Sequence, residues 1–277
     1  MTDKTTLARI LAIAGSDSSG GAGIQADIKT ITSLGGYAMT AITAITAQNT
    51  TGVQGVELPG PDMVVRQIES CLSDIGADAV KIGMLGSADI AHRVSDLLKN
   101  FDGPVVLDPV MIATSGAILA DSETIRAFEQ LMLRADLITP NLPELAVLAA
   151  MPADNPAAII EAASKLAQKY GCAVLAKGGH GAGDEIIDIL IEQGGPEQGP
   201  CLIRHPRIDS VHTHGTGCTL SSAIATFLGQ GVGMEHAVRQ ASDYVHRAIC
   251  LAPGFGAGHG PLNHMEAAIE DYDRGNS

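Results

Sequence analysis

Ile10-Leu-Ala-Ile-Ala-Gly-Ser-Asp-Ser-Ser-Gly-Gly-Ala-Gly-Ile-Gln-Ala-Asp27 carries a strand, a turn and a helix start in one run. The apolar residues over 10–14 predict a buried strand. The small and polar residues over 15–23 predict a glycine-rich turn, and the spacing over 24–34 predicts an amphipathic helix. The same alternation continues outward, with strands expected over 38–46, 79–82, 105–108, 137–139 and 173–176. Helices are expected between them, over 62–75, 88–98, 122–133 and 157–170. Strand and helix in strict alternation build βαβ units and an α/β fold with a mainly parallel sheet. Right-handed crossovers then place helices on both faces and a functional crevice at the carboxyl ends of the strands.

After this alternation the pattern changes. Two short apolar runs, 186–191 and 201–204, flank a turn-rich 192–200, so a hairpin is expected and the sheet closes on an antiparallel edge. Helices over 219–228 and 234–251 follow, and then the glycine-rich Pro253-Gly-Phe-Gly-Ala-Gly-His-Gly-Pro261. No Pro/Ser linker, charge block or repeat divides the chain, so residues 1–277 are expected to form a single domain.

Composition narrows the function. Apolar residues are 45% of the chain and charged residues 17%, a balance suited to burying a core and unsuited to disorder. The net charge of −14 opposes nucleic-acid and anionic-membrane partners, which need a positive face. With aromatic residues at 3% and no Trp, platforms for stacking bases are also few. The five cysteines are scattered without a C-x-x-C pair, and the run 10–14 is too short for a signal or membrane segment. A reducing cytoplasm is the expected location.

Two glycine-rich segments stand at predicted helix starts. Gly15-Ser-Asp-Ser-Ser-Gly-Gly-Ala-Gly23 is not G-x-G-x-x-G, and no G-x-x-x-x-G-K-[ST] occurs, so dinucleotide and P-loop sites lose support. Asp27, just inside that helix, is either a solvated acid favoured by the dipole or a group pointing back into the crevice. His214-Gly-Thr-Gly-Cys218 allows successive N–H groups to converge on an anion. At a helix start the Cys218 thiol is expected below its free pKa of about 8.5, as a base or nucleophile; the alternative is a buried cysteine at an ordinary turn. His212 and His214 near Cys218 suggest a metal cluster, but no fourth ligand stands at zinc-like spacing. Polar residues beside Pro or Gly also end the predicted strands, at Gln48-Asn49, Lys81-Ile-Gly-Met84, Asp108-Pro-Val-Met111, Thr139-Pro-Asn-Leu-Pro-Glu144 and Lys177-Gly-Gly-His180.

Taken with Ala47-Gln-Asn49, His214-Gly-Thr-Gly-Cys-Thr-Leu-Ser221, Gly258-His-Gly-Pro261 and His264, these motifs resemble the bacterial hydroxymethylpyrimidine kinase/phosphomethylpyrimidine kinase family of thiamine biosynthesis. The resemblance runs in motif order from residue 10 to residue 264. It implies a ribokinase-like, three-layer α/β/α fold with a mainly parallel sheet. It implies an enzyme that uses ATP and Mg²⁺ to phosphorylate 4-amino-5-hydroxymethyl-2-methylpyrimidine and then its monophosphate, and a homodimer. Gly15, Ala22, Asp27, Gln48, Met84 and Val110 would surround the pyrimidine. Asp108 and Glu144 would stand near Mg²⁺, and Asn141 and Lys177 near the nucleotide phosphates. Gly215, Thr216 and Gly217 would form the anion hole, with Cys218 catalytic. A thiol there can help deprotonate an alcohol yet be neutral when a phosphate monoester arrives, whereas most sugar and nucleoside kinases of the superfamily carry Asp. One departure is that Ala113-Thr-Ser-Gly116 has Thr114 where the family usually has lysine. A pyridoxal kinase, a dual kinase for both rings and a non-catalytic pyrimidine-binding protein remain alternatives. Water would be excluded by loops over 50–59, 113–116 and 253–261 in place of a lid domain.

Overall fold

Central strands with little but apolar residues must be covered on both sides, and the architecture follows from that demand. The computed structural model describes residues 7–110, 122–180, 183–193 and 199–274. Its first half contains β1 (Ala8–Ser16), α1 (Gly23–Ser33), β2 (Gly36–Asn49), β3 (Gly52–Glu57), α2 (Pro61–Asp74), β4 (Ala79–Ile82), α3 (Ala88–Leu98) and β5 (Val105–Leu107). Then come α4 (Ser122–Met132), β6 (Leu137–Ile138), α5 (Leu142–Ala149), α6 (Pro156–Tyr170), β7 (Ala173–Ala176), β8 (Glu185–Ile191) and β9 (Cys201–Pro206). Three helices close the chain, α7 (Thr216–Gly229), α8 (Met234–Cys250) and α9 (His264–Arg274).

The strands form one sheet in the order β3-β2-β1-β4-β5-β6-β7-β8-β9. Pairing is parallel from β2 through β7 and antiparallel at both edges, where β3 joins β2 and the β8–β9 hairpin joins β7. The chain moves from β1 outward to β2 and then returns to β4 on the other side of β1. That reversal opens a crevice at the carboxyl ends of β1 and β4, the switch point at which such sheets bind ligands.

Alternate residues of each strand supply the two faces. Leu11, Ile13, Val105 and Leu107 join a core with Ile68, Val94, Phe128 and Leu166 of α2, α3, α4 and α6. Ile10, Ala12 and Val106 join the opposite core with Ile31, Ile224, Ala241 and Tyr244 of α1, α7 and α8. Helices therefore cover both faces of the sheet, as the alternation predicts.

Several elements depart from the sequence expectations. β3 replaces part of the expected 50–59 flap; Gly52 and Gly55 and an exposed outer face hide it from a pattern search. The short α5 was not anticipated either, although Asn141 and Glu144 form a capping box with Pro143 in the first turn, a signal written in the sequence. α7 begins at Thr216, three residues ahead of the expected 219, and so takes Cys218 into its first turn. The turn 113–116, with Thr114, lies outside the described residues.

Candidate active site

The first wall of the crevice is the loop between β1 and α1, and Asp17 organises it. The Asp17 carboxylate accepts from Ser19 N at 2.9 Å, Ser19 Oγ at 2.7 Å and Ala22 N at 2.8 Å. It also meets His214 Nε2 at 2.8 Å, which ties this loop to the start of α7. Burial would raise the Asp17 pKa, but the hydrogen bonds from His214, Ser19 and Ala22 outweigh it and hold the carboxyl below its ordinary value. Ala22 is the N-cap residue of α1. The Gly15 backbone lies against Met84, since a Cβ there would come within 2.5 Å of Met84 Cε. Met84 is held in turn by Thr43 Oγ1, which donates to its carbonyl at 2.6 Å.

The second wall is the start of α7. Gly215 caps it with φ of 85°, and a Cβ there would strike the carbonyl oxygen of Gly21, so only glycine lets the two loops touch. At Gly217 a Cβ would lie 3.3 Å from both Asp108 Oδ2 and Lys177 Nζ. The glycine thus lets the helix terminus approach a charged pair closely. Thr216 N is occupied by Thr213 O, so the Gly217 and Cys218 amides are the first-turn donors available to an anion.

Cys218 departs from the expectation of a lowered thiol pKa. Burial pushes it above the ordinary thiol value and Asp27 and Asp108 add to the rise; Lys81 and a backbone hydrogen bond from Gly23 oppose it. The helix-start rule is local, whereas here desolvation and two carboxylates act together. At neutral pH the free enzyme therefore carries a neutral thiol.

Behind Cys218 lies a sealed ion pair. Lys81 Nζ donates to both oxygens of Asp27, at 2.8 and 2.9 Å, with both side chains 0% exposed. Ser222 Oγ donates to Asp27 Oδ1 at 2.7 Å, from the α7 residue one turn beyond Cys218. Burial alone would lower the Lys81 pKa, yet the charge of Asp27 with its hydrogen bonds, and the charge of Asp108, hold it well above the usual lysine value. Of the two alternatives for Asp27, the solvated first-turn acid is excluded. The carboxylate points inward, with both oxygens engaged by Lys81 and Oδ1 also by Ser222, and at 0% exposure it lies beneath the site rather than open in it.

The third wall comes from β5, β6 and β7. Asp108 Oδ1 accepts from Thr139 Oγ1 at 2.9 Å and from Lys177 Nζ at 2.7 Å. Burial lowers the Lys177 pKa, but the carboxylates of Asp108 and Glu144 more than reverse this. Asn141 and Glu144 face the same end of the sheet through the N-cap of α5. Asn141 Oδ1 accepts from Glu144 N at 2.9 Å, and Glu144 Oε2 accepts from Asn141 N at 2.8 Å. An isolated parallel bridge joins Asn141 to Lys177. Val110 N donates to Asp108 O at 2.8 Å, which places Val110 at the edge of this wall.

The expected residues thus converge on one end of the sheet in two groups: Gly15, Ala22, Gln48 and Met84 along the first loop, and Asp108, Asn141, Glu144, Lys177 and Val110 across from it. Gly215, Thr216, Gly217 and Cys218 run between them. Sequence reasoning gave no role to Asp17, Lys81 or Ser222 and weighed His214 only as a metal ligand, although Asp17, Lys81 and His214 stand in the quoted motifs. Ionisable residues inside glycine-rich loops were the available signal. Two of the expected closing loops already touch, with His259 N donating to Thr50 O at 2.9 Å. No helix among the described residues is long and apolar enough to cross a membrane.

Comparison with known proteins adds to this geometry. A family model described as phosphomethylpyrimidine kinase matches residues 17–263. A hydroxymethylpyrimidine/phosphomethylpyrimidine kinase of Streptomyces coelicolor is 44% identical over 265 residues, covering 95% of this chain and 96% of that protein. A thiamine biosynthesis multifunctional protein ThiED of Corynebacterium efficiens is 44% identical over 93% of this chain, which spans only 35% of that longer protein. Among solved structures, a Bacillus subtilis pyridoxal kinase in an ADP complex superposes with a TM-score of 0.87 at 33% identity, covering 96% of this chain and 99% of that one. A phosphomethylpyrimidine kinase from Clostridium difficile does so with a TM-score of 0.76 at 38% identity, covering 87% of this chain and 99% of that one. The three-layer ribokinase-like architecture expected from the sequence is the one these neighbours share.

Proposed function

The chain belongs to the phosphomethylpyrimidine kinase family, and from that premise we propose that it uses ATP to phosphorylate 4-amino-5-hydroxymethyl-2-methylpyrimidine to the monophosphate and then to the diphosphate, in thiamine biosynthesis. The observation that carries this reading is the meeting at Gly217 of a helix start bearing Cys218 with the Asp108–Lys177 pair. Phosphoryl transfer asks mainly for positioning and for stabilisation of charge on the transferred group. The Gly217 and Cys218 amides lie at the positive end of α7 and aim donors at that charge. Lys177 adds a full positive charge beside them, as a protein of net charge −14 needs.

Mg²⁺ suits the residues present. Asp108 and Glu144 offer hard oxygens, and both described bonds to Asp108 fall on Oδ1 while Oδ2 is turned toward Gly217. Among the described residues no cluster of three or more His, Cys, Asp or Glu side chains stands ready for an ion. Magnesium commonly takes one or two carboxylates and completes its shell with water and substrate phosphates. When bound it would neutralise phosphate charge between those carboxylates.

Cys218 is the proposed base for the hydroxymethyl proton, accepting it in the minority thiolate form, while the neutral thiol that its raised pKa favours suits a second acceptor in the same site. A neutral thiol does not repel an incoming phosphate monoester, whereas a fixed carboxylate would. A homodimer is proposed from the family resemblance, with exposed Ile45 of β2, Val56 of β3, Leu58 just after it and Met63 of α2 as its contact; light scattering tests it. A reducing cytoplasm is proposed from the five unpaired cysteines.

The function is tested by incubating the protein with Mg-ATP and the pyrimidine and resolving the products. Successive mono- and diphosphate support it, and no pyrimidine-dependent use of ATP refutes it. The TM-score of 0.87 with a pyridoxal kinase favours one second reading, transfer to a pyridine alcohol. A paired assay with both alcohols decides between them.

A further inference from the structure

Proton counting around Gln48 leads to a pair of residues with no assigned role. His214 Nε2 lies 2.8 Å from Asp17 Oδ2, in a site where Asp17 is 3% and His214 7% exposed. An ionised carboxylate only accepts, so His214 Nε2 carries a proton and donates it. One polar end of the Gln48 amide lies 3.3 Å from that same Nε2, and the other lies 3.3 Å from Thr46 Oγ1. Thr46 has one hydroxyl proton, and it goes to the Ser16 carbonyl oxygen at 2.8 Å, which can do nothing but accept. Toward Gln48, therefore, Thr46 is an acceptor, while the protonated His214 Nε2 has no lone pair and its one proton lies chiefly on Asp17, so it presents only the positive edge of that N–H, which a carbonyl oxygen can share and an NH₂ group cannot.

Only one setting of the amide satisfies both neighbours: the carbonyl oxygen toward His214 and the NH₂ group toward Thr46. With the nitrogen toward His214 instead, two donors would face each other and two acceptors would face each other at the far end. Asp17 is thus the origin of a chain of choices. Its charge selects the His214 tautomer, the tautomer selects which end of Gln48 turns inward, and the order of donor and acceptor along the amide edge follows. Asp17 is itself pinned by Ser19 and Ala22, so the chain begins from a fixed point.

We propose that Asp17 and His214 are positioning residues that set the donor–acceptor order of Gln48, and through it select an aminopyrimidine over a ring with the reverse order. This rests on the placement of Gln48 beside the pyrimidine in the proposed function. An aminopyrimidine shows a ring-nitrogen acceptor next to an amino donor, and the matching pyrimidinone shows a ring N–H donor next to a carbonyl acceptor. A polar edge locked in one order leaves groups unpaired against the other ring.

The test measures binding by calorimetry and kcat/KM for both rings in wild type, Asp17→Asn, His214→Phe and Thr46→Val. Each substitution removes a different determinant of the amide order, so the idea survives the misfolding of any one variant. Wild type should favour the aminopyrimidine, and each folded variant should reduce that preference by about tenfold or more, with KM for ATP changed by less than about twofold. An unchanged ratio, with both rings weakened equally, would overturn the proposal and leave these residues as loop fasteners. Wild-type binding of the aminopyrimidine without transfer would instead defeat the proposed function, while the Kd ratios still judge this inference.

Discussion

Two lysine–aspartate pairs stand near Cys218, and they are nearly equal in length yet opposite in character. Lys81 meets Asp27 at 2.8 Å with both side chains 0% exposed, and Lys177 meets Asp108 at 2.7 Å with side chains 17% and 3% exposed. The first pair uses both carboxylate oxygens and is closed by Ser222. In the second, both described bonds fall on one oxygen while the other is turned toward the α7 start. A pair with both oxygens engaged and both side chains sealed from water is scaffold, since exchanging a partner would strand a buried charge. A partly open pair can release its lysine to a phosphate and its carboxylate to a metal ion. Equal distances thus conceal a fixed element and an exchangeable one.

The largest effect is expected at the thiol between the pairs. Cys218→Ala should lower transfer to the alcohol by about 10² to 10⁴-fold while ATP binding stays near wild type, as steady-state kinetics and nucleotide titration would read. Near-normal turnover would move the base elsewhere and leave the two pairs without a common client.

Next is the sealed pair itself. Lys81→Met should cost about 3–5 kcal/mol of unfolding free energy in urea, because Asp27 is left buried and unpaired. Lys177→Met should cost no more than about 1–2 kcal/mol in the same measurement. Equal losses would erase the distinction between scaffold and exchangeable pair. The open pair should show its worth in rate instead, with Lys177→Met lowering kcat on the order of 10² to 10³-fold.

A smaller effect separates both pairs from a neutral ring on the other side of α7. His264 is 4% exposed, its Nε2 lies 3.0 Å from Thr219 Oγ1, and burial lowers its pKa to about 4, with Lys29 adding to the shift. The unfolded chain binds this proton more readily, so its contribution is intact above about pH 6.5 and is lost as the pH falls toward 4, amounting to about 3 kcal/mol. Chemical denaturation across that window should show the loss in wild type and a shallower one in His264→Gln. An identical slope in the variant would assign the acid sensitivity to the ion pairs.

How far these features were legible depends on the range of the forces behind them. The strands 79–82 and 173–176 and the helix 88–98 were anticipated to the residue, because apolar periodicity is a local property. β3 escaped because Gly52, Gly55 and its exposed side chains offer no buried face to detect. α5 escaped although its Asn141–Glu144 box was visible, because eight mostly apolar residues have no distinct helical stripe. Motif order also pointed to residues that the fold brings together at one end of the sheet. It missed the pairing of Asp17 with His214, since they are partners across 197 residues of chain.

By itself, then, the sequence determined the α/β order, the two glycine-rich helix starts and the family, since patterning and backbone sterics act over a few residues. Only the tertiary structure decided which lysine seals Asp27 and which stays open beside Asp108. It alone decided that the Cys218 thiol rises instead of falling. Desolvation and Coulomb attraction act through space, and residues far apart in the chain become neighbours only when the sheet closes.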